Sequence, residues 1–130
     1  MNDLGILLID DEAGYREILA KRLRKQNFKV ICVGSGEEAL EIIQKEHMDI
    51  ALLDVQMPGM NGQETLCEIK KLMPTIEVIM LTGQADMEIA QTGIESGAFD
   101  YVLKPVDFDE LVYKLQDAGE KRHLVNQLDS

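Results

Sequence analysis

The sequence predicts an α/β domain: a doubly wound, five-stranded parallel sheet in the order 2-1-3-4-5, with helices on both faces. Three observations predict it. Short apolar runs alternate five times with segments whose apolar residues recur at helical spacing, the signature of consecutive strand–helix units. Runs of consecutive apolar residues suit parallel strands buried on both faces. The runs at 6–9, 50–53 and 76–81 are the most apolar, whereas Lys29 breaks the second strand and Asp100 the fifth. Charge-broken strands belong at sheet edges, and that places strands 2 and 5 outermost.

The first strand stops at three acids, Asp10, Asp11 and Glu12. Tyr15, Ile18, Leu19 and Leu23 then share one face of a helix over 13–26, ended by Asn27. Residues 28–33 form the second strand. Ser35, with Glu38 three residues on, caps a helix over 36–46 that buries Ala39, Leu40 and Ile43. The third strand ends on Asp54 and runs into a turn containing Pro58 and Gly59. Asn61 with Glu64 caps a helix that turns Leu66, Ile69 and Met73 inward and stops at Pro74. After the fourth strand, Asp86 is expected to cap a helix burying Met87, Ala90 and Ile94 and ending at Gly97. Gly93 within it costs about 1 kcal/mol relative to Ala; it is either tolerated there or loosens that helix. The fifth strand spans 98–103 and ends at Lys104-Pro105. Asp107 with Glu110 caps a last helix with core stripe Leu111, Val112, Leu115 and Ala118. The domain is expected to occupy 1–118, with 119–130 as a C-terminal tail or linker helix. Gly119 is a stop signal there, while Leu124, Val125 and Leu128 would continue the helix.

Bulk properties narrow the function. The chain has 130 residues, 45% hydrophobic and 28% charged, which suits one globular domain. Its net charge of −11 argues against direct nucleic-acid binding, which needs clustered Lys and Arg. Cys32 and Cys67 show no metal-ligand spacing and read as buried free thiols in a reducing compartment. Charged residues interrupt the N-terminal region too early for a signal peptide. No apolar stretch approaches a membrane span. The expectation is a cytoplasmic domain.

The strand ends carry the chemistry. Asp10 and Asp11 follow strand 1, Asp54 ends strand 3, Thr82 follows strand 4 and Lys104 follows strand 5. In a parallel sheet these ends share one rim, where open α/β sheets place ligands. Singly, each residue has a plainer explanation: acids at a helix N-terminus, a turn-initiating Asp, a strand-end hydroxyl, a surface lysine. Their joint arrival at four strand ends is what those explanations handle badly. Two carboxylates about 4 Å apart repel by roughly 4 kcal/mol at an effective dielectric of 20, and one lysine does not neutralise three acids. A small hard dication does, and oxygen-only ligands with room for water suit Mg²⁺. The expected task is phosphate chemistry.

With Leu8-Ile9-Asp10-Asp11-Glu12, Leu53-Asp54-Val55-Gln56-Met57-Pro58-Gly59-Met60-Asn61-Gly62, Leu81-Thr82-Gly83 and Tyr101-Val102-Leu103-Lys104-Pro105, residues 4–118 resemble a receiver domain of a bacterial two-component response regulator. Gln84-Ala85-Asp86 and residues 97–101 look most like receivers of nitrogen-regulation-type activators or hybrid kinases. The resemblance implies that Asp54 is the phosphoacceptor, taking its phosphoryl group from a phosphohistidine on a sensor histidine kinase or phosphotransfer protein. It implies Mg²⁺, or Mn²⁺ in its place, held by Asp11, Asp54 and the Gln56 carbonyl, with Asp10 acting through water. Lys104 would pair with the phosphoryl group across a cis bond to Pro105. Thr82 would be the switch hydroxyl, Tyr101 the ring that follows it inward, and Gly83 the space beside the phosphate. The face made by helix 4, strand 5 and helix 5 would then change shape for an output domain, a downstream protein or a second copy of the chain. Such a domain is a switch with slow autodephosphorylation rather than a turnover enzyme.

Two other readings are weaker. A haloacid-dehalogenase-like phosphatase also uses a strand-end Asp, Mg²⁺, Thr and Lys, but it needs an acid two residues after the nucleophile, where Gln56 stands. A flavodoxin-type flavin module shares the strand order but needs a phosphate loop after strand 1, and Asp10-Asp11-Glu12 would repel a phosphate there.

Overall fold

The computed structural model describes residues 4–57 and 61–129. Five parallel strands, β1 (Gly5–Ile9), β2 (Lys29–Val33), β3 (Ile50–Asp54), β4 (Glu77–Thr82) and β5 (Asp100–Leu103), form one sheet in the order β2-β1-β3-β4-β5. The strands that open on Lys29 and Asp100 are the edges, as expected, although β4, which opens on the buried Glu77, is interior. Five helices connect and flank them: α1 (Ala13–Lys25), α2 (Gly36–Lys45), α3 (Gly62–Leu72), α4 (Met87–Glu95) and α5 (Phe108–Asp129).

Alternation along the strands divides the core in two. Leu7, Ile9, Ala51, Leu53, Val78 and Met80 face one side with Ala39 and Ile43 of α2 and Leu66 and Ile69 of α3. Ile6, Leu8, Ile50, Leu52, Ile79 and Leu81 face the other, against Leu19 and Leu23 of α1 and Leu111 and Leu115 of α5.

Local signals set most helix ends. Ser35 accepts from the Glu38 N–H (3.1 Å) and Asn61 from the Glu64 N–H (2.9 Å). Asp107 accepts from both Asp109 and Glu110. Each bond satisfies a donor that the first helical turn leaves open. Asn27 ends α1 in the left-handed region, φ 71°, which Asn tolerates. The Pro58-Gly59 turn lies outside the described residues.

Several expectations meet a different structure. Asp86 makes no cap bond to α4; a short 3-10 turn, Gln84–Asp86, precedes that helix, and the Asp86 carboxylate accepts from the Gln56 side chain instead. Ile94 is exposed, and the buried stripe of α4 is Ala90 and Gly93. Gly93 is therefore a packing residue rather than a loosened joint: a Cβ there would collide with the Met80 sulfur and approach Leu66. Gly119 does not end α5, which runs on to Asp129 with Gly119 packed on Leu4. The side chains of Leu124, Val125 and Leu128 lie outside the described residues. Cys32 and Cys67 are free, as expected, but only half-buried.

Sequence reading also passed over Glu77, counted within an apolar run. It is buried at the start of β4 and paired with Lys121 of α5 (3.2 Å). Removing the partner of a buried charge is destabilising, so this pair fixes the far part of α5 to the sheet.

Gly62 opens α3 against the backbone of Val55, and a Cβ there would lie 2.8 Å from Val55 Cα. Overpacking a tight interior costs about 1–3 kcal/mol. Gly93→Ala is expected to lose about that much stability in urea denaturation, because the Met80 side chain has to move. Gly62→Ala is expected to lose more, since backbone yields less than a side-chain end. A stabilised Gly93→Ala protein would contradict the packing role.

Candidate functional site

The sheet register builds the site. Ile9 pairs with Leu53, and Asp54 with Leu81, so the residues that follow β1 and β4 flank Asp54 at the carboxyl rim. The structure brings Asp10, Asp11 and Asp54 together there, each offering an oxygen within 4.8 Å of the others. Asp10 and Asp54 are buried, at 1% and 5% exposure, while Asp11 is exposed.

Each buried carboxylate is oriented by backbone. Asp10 Oδ1 accepts from the Glu12 N–H (2.9 Å), and Asp54 Oδ1 accepts from the Gln56 N–H (3.1 Å). Arg16 donates to the Asp10 carbonyl (2.7 Å) and so holds the end of β1. Lys104 reaches back over the sheet, with Nζ 3.1 Å from Asp54 Oδ2. Its own N–H donates to the Thr82 carbonyl (2.8 Å), and its peptide bond to Pro105 is cis, as expected.

Thr82 is buried, and its hydroxyl donates to the Gly83 carbonyl at 3.2 Å. Gly83 is not sterically demanded by the protein itself, since a Cβ there would have ordinary contact with Asp86 at 3.9 Å. Tyr101 is half-buried beside the core, and Lys114 donates to its carbonyl (2.7 Å) with the ammonium 5.4 Å from the ring centroid. Tyr101 lies on β5, with β4 between it and the strand that carries Asp54.

Two side-chain contacts at the site have no counterpart in the sequence reading. Gln56 Nε2 donates to Asp86 Oδ1 (2.7 Å) and joins the segment after β3 to the segment after β4. Tyr15, placed by periodicity in the α1 core stripe, has the Lys104 ammonium 5.6 Å from its ring centroid. Neither contact has a sequence signal, because each depends on how separate strand ends converge. Beside the acids, a cleft of about 470 Å³ is lined by Asp11, Val55, Gln56, Met57, Asn61 and Ile89.

The electrostatics are those of three converging acids paired with one lysine. Burial is the largest influence on Asp10 and pushes its carboxyl above the ordinary range. The Glu12 hydrogen bond opposes this, the Asp54 charge adds to it, Lys104 opposes it and Asp11 adds to it. Asp10 Oδ2 is enclosed without a partner, which is costly for a carboxylate. Among the described residues, the ion pair recorded for the cluster is the one with Lys104. Three oxygen donors with one open, buried lone pair fit a hard dication.

Residues 6–116 match the model of the response regulator receiver domain. The chain belongs to that family. The transcriptional regulatory protein ZraR of Escherichia coli strain K12 is 37% identical over 125 residues, covering 96% of this chain and 28% of ZraR. A structure described as adenylate cyclase from Rhodopirellula baltica superposes with a TM-score of 0.93 at 28% identity, covering 99% of this chain and 96% of that one. NtrX from Brucella abortus superposes with a TM-score of 0.92 at 29% identity, covering 98% of this chain and 29% of NtrX. The chain spans little more than a quarter of the curated relatives it matches. Membership makes the chain a receiver of two-component signalling, a phosphorylation-dependent regulatory domain. Among its described residues no helix is long and apolar enough to cross a membrane.

Because folded Asp10 holds its proton more tightly than the unfolded chain does, that stabilisation is present at acidic pH and lost as pH rises through the raised pKa. Two carboxylates within 4.8 Å of one another repel by roughly 3.5 kcal/mol or more at an effective dielectric of 20. In chelator-treated buffer at pH 7, Asp10→Asn is expected to recover part of this, about 1–2 kcal/mol. The gain should shrink toward acidic pH. Denaturant titrations of both proteins with excess chelator provide the check, and a loss of stability in Asp10→Asn would contradict it.

Proposed function

We propose that this receiver is a switch thrown by phosphorylation of Asp54, supplied by a phosphohistidine on a sensor histidine kinase or phosphotransfer protein. An Asp54 carboxylate oxygen attacks phosphorus, the phosphorus–nitrogen bond breaks, and the imidazole nitrogen keeps the electron pair and takes up a proton. A carboxylate does this without a general base and becomes a mixed anhydride. The observation that carries the reading is Asp54 itself: a buried acid at a strand end, oriented by the Gln56 N–H and Lys104 and grouped with Asp10 and Asp11.

Asp11, Asp54 and the Gln56 carbonyl would hold Mg²⁺ or Mn²⁺, with Asp10 acting through water. The cation supplies neutralisation of phosphoryl charge at a site that is otherwise acidic. Lys104 holds a phosphoryl oxygen with the ammonium that now rests on Asp54. Thr82 has little to give up, since a hydroxyl bond of 3.2 Å is longer than the usual 2.7–2.8 Å or so. Turning that hydroxyl to the phosphoryl group exchanges a weak bond for a charge-assisted one.

Tyr101 then moves into the space beside Thr82, and the face formed by α4, β5 and α5 responds. That face carries exposed apolar residues, Ile89, Ile94, Leu103 and Tyr113, which suits a downstream protein, an output domain or a second copy of the chain. Moving such an equilibrium from 1:99 to 99:1 takes about 5.5 kcal/mol, within reach of a few charge-assisted contacts. Residues 1–118 act as the receiver and 119–130 as a C-terminal tail or linker, helical through Asp129, working in the cytoplasm without direct contact to nucleic acid. Gln56, lacking an acid group, makes the site one that holds phosphate with slow self-hydrolysis.

Acetyl phosphate with Mg²⁺ is expected to give one acid-labile label per chain, absent in Asp54→Asn. Retained stoichiometric labelling would mean another acceptor. Thr82→Ala is expected to label normally yet lose most of the phosphorylation-dependent change in amide exchange across α4 and β5. An undiminished change would remove Thr82 from the switch.

A further inference from the structure

Helical spacing places Tyr15 in the inward stripe of α1, where an aliphatic side chain would serve. Its polar end is not solvated. The hydroxyl is enclosed and has no hydrogen-bond partner, and Asp10 Oδ2 is in the same condition. An enclosed hydroxyl without a partner costs about 1–3 kcal/mol.

Its position is tied to the acidic site from two directions. The Lys104 ammonium that rests 3.1 Å from Asp54 lies 5.6 Å from the centroid of the Tyr15 ring, within the range of a cation–π contact. Burial first, and then the charges of Asp10, Asp54 and Glu12, hold the phenol in its neutral form. The hydroxyl therefore lies in the field of the same carboxylates that would bind a cation. A leucine would fill the stripe but leave nothing polar facing them.

We infer that Tyr15 is a positioning residue of the acidic site, its hydroxyl completing the hydration shell that a divalent cation brings to Asp10, Asp11 and Asp54. This rests on the reading that the cluster binds such a cation. Mg²⁺ sheds its waters reluctantly and keeps several when bound. A water of that shell would offer one hydrogen to Asp10 Oδ2 and the other to the Tyr15 oxygen, the two enclosed atoms that lack a partner. The ring meanwhile keeps the Lys104 ammonium over Asp54.

The test compares wild type with Tyr15→Phe, which keeps the ring and removes only the oxygen. Calorimetric titration with MgCl₂ is expected to show about tenfold weaker binding in Tyr15→Phe, the lower end of the effect of losing an outer-shell partner. The unfolding midpoint in excess chelator is expected to stay level or rise, because an unpartnered enclosed hydroxyl has been removed. A merely structural tyrosine would behave oppositely, with a lowered chelator midpoint and unchanged Mg²⁺ affinity. Either of those results overturns the assignment. If wild type itself fails to bind Mg²⁺, the cation reading falls and this inference falls with it. Mg²⁺ binding by wild type that Tyr15→Phe does not weaken overturns the role of Tyr15 alone.

Discussion

Three carboxylates converge at one end of a parallel sheet, two of them buried, with a single lysine paired to the set among the described residues. Charges taken from water and left partly unmatched are among the most expensive features a fold can carry. Much of the surrounding structure is an accommodation to that expense. Backbone N–H groups of Glu12 and Gln56 orient the two buried acids, and Arg16 secures the carbonyl of Asp10. The apolar strands beneath give the rigidity that keeps repelling groups in register. What backbone and lysine leave unmatched, the enclosed Asp10 Oδ2 above all, fits a hard cation.

The acids communicate with the rest of the domain over short distances. Gln56 joins Asp86 across the cleft, so the segment after β3 is bonded to the turn that leads into α4. Thr82 and Lys104 are linked through backbone, and Lys114 ties α5 to the carbonyl of Tyr101. A rearrangement at Asp54 therefore meets α4 and β5 through hydrogen-bonded neighbours. At the opposite end of the sheet, the Glu77–Lys121 pair fixes α5 beyond the span matched by the family. Lys114 and Lys121 of α5 thus pair with acids of β5 and β4 on either side of that boundary.

Gly93 shows why periodicity alone misjudges a helix. Read along the chain, a glycine in mid-helix is a weakness. Seen against β4, it is the condition for close approach, because Met80 occupies the volume a Cβ would take. That approach rotates the helix so that Ala90 and Gly93 face inward and Ile94 outward. Asp86 was misjudged for a related reason: a cap residue was the local expectation, but a side-chain amide thirty positions away offered the carboxylate a partner.

The sequence by itself determined the strands, their order and the rim on which the chemistry lies. Continuous apolar runs, charge-broken edges and acids at strand ends are local consequences of burial, and burial is written in residue type. It also identified Asp10, Asp11, Asp54, Thr82 and Lys104 as one group, because parallel strands bring their carboxyl ends together whatever the details of packing. Only the tertiary structure decided how Tyr15, Gln56 and Asp86 take part, why Gly93 is a glycine, and how Glu77 comes to be buried and paired. Those are contacts between segments distant in sequence, set by the angle and depth at which helices settle on the sheet. A pattern read along one chain carries no information about that settling until the side chains meet.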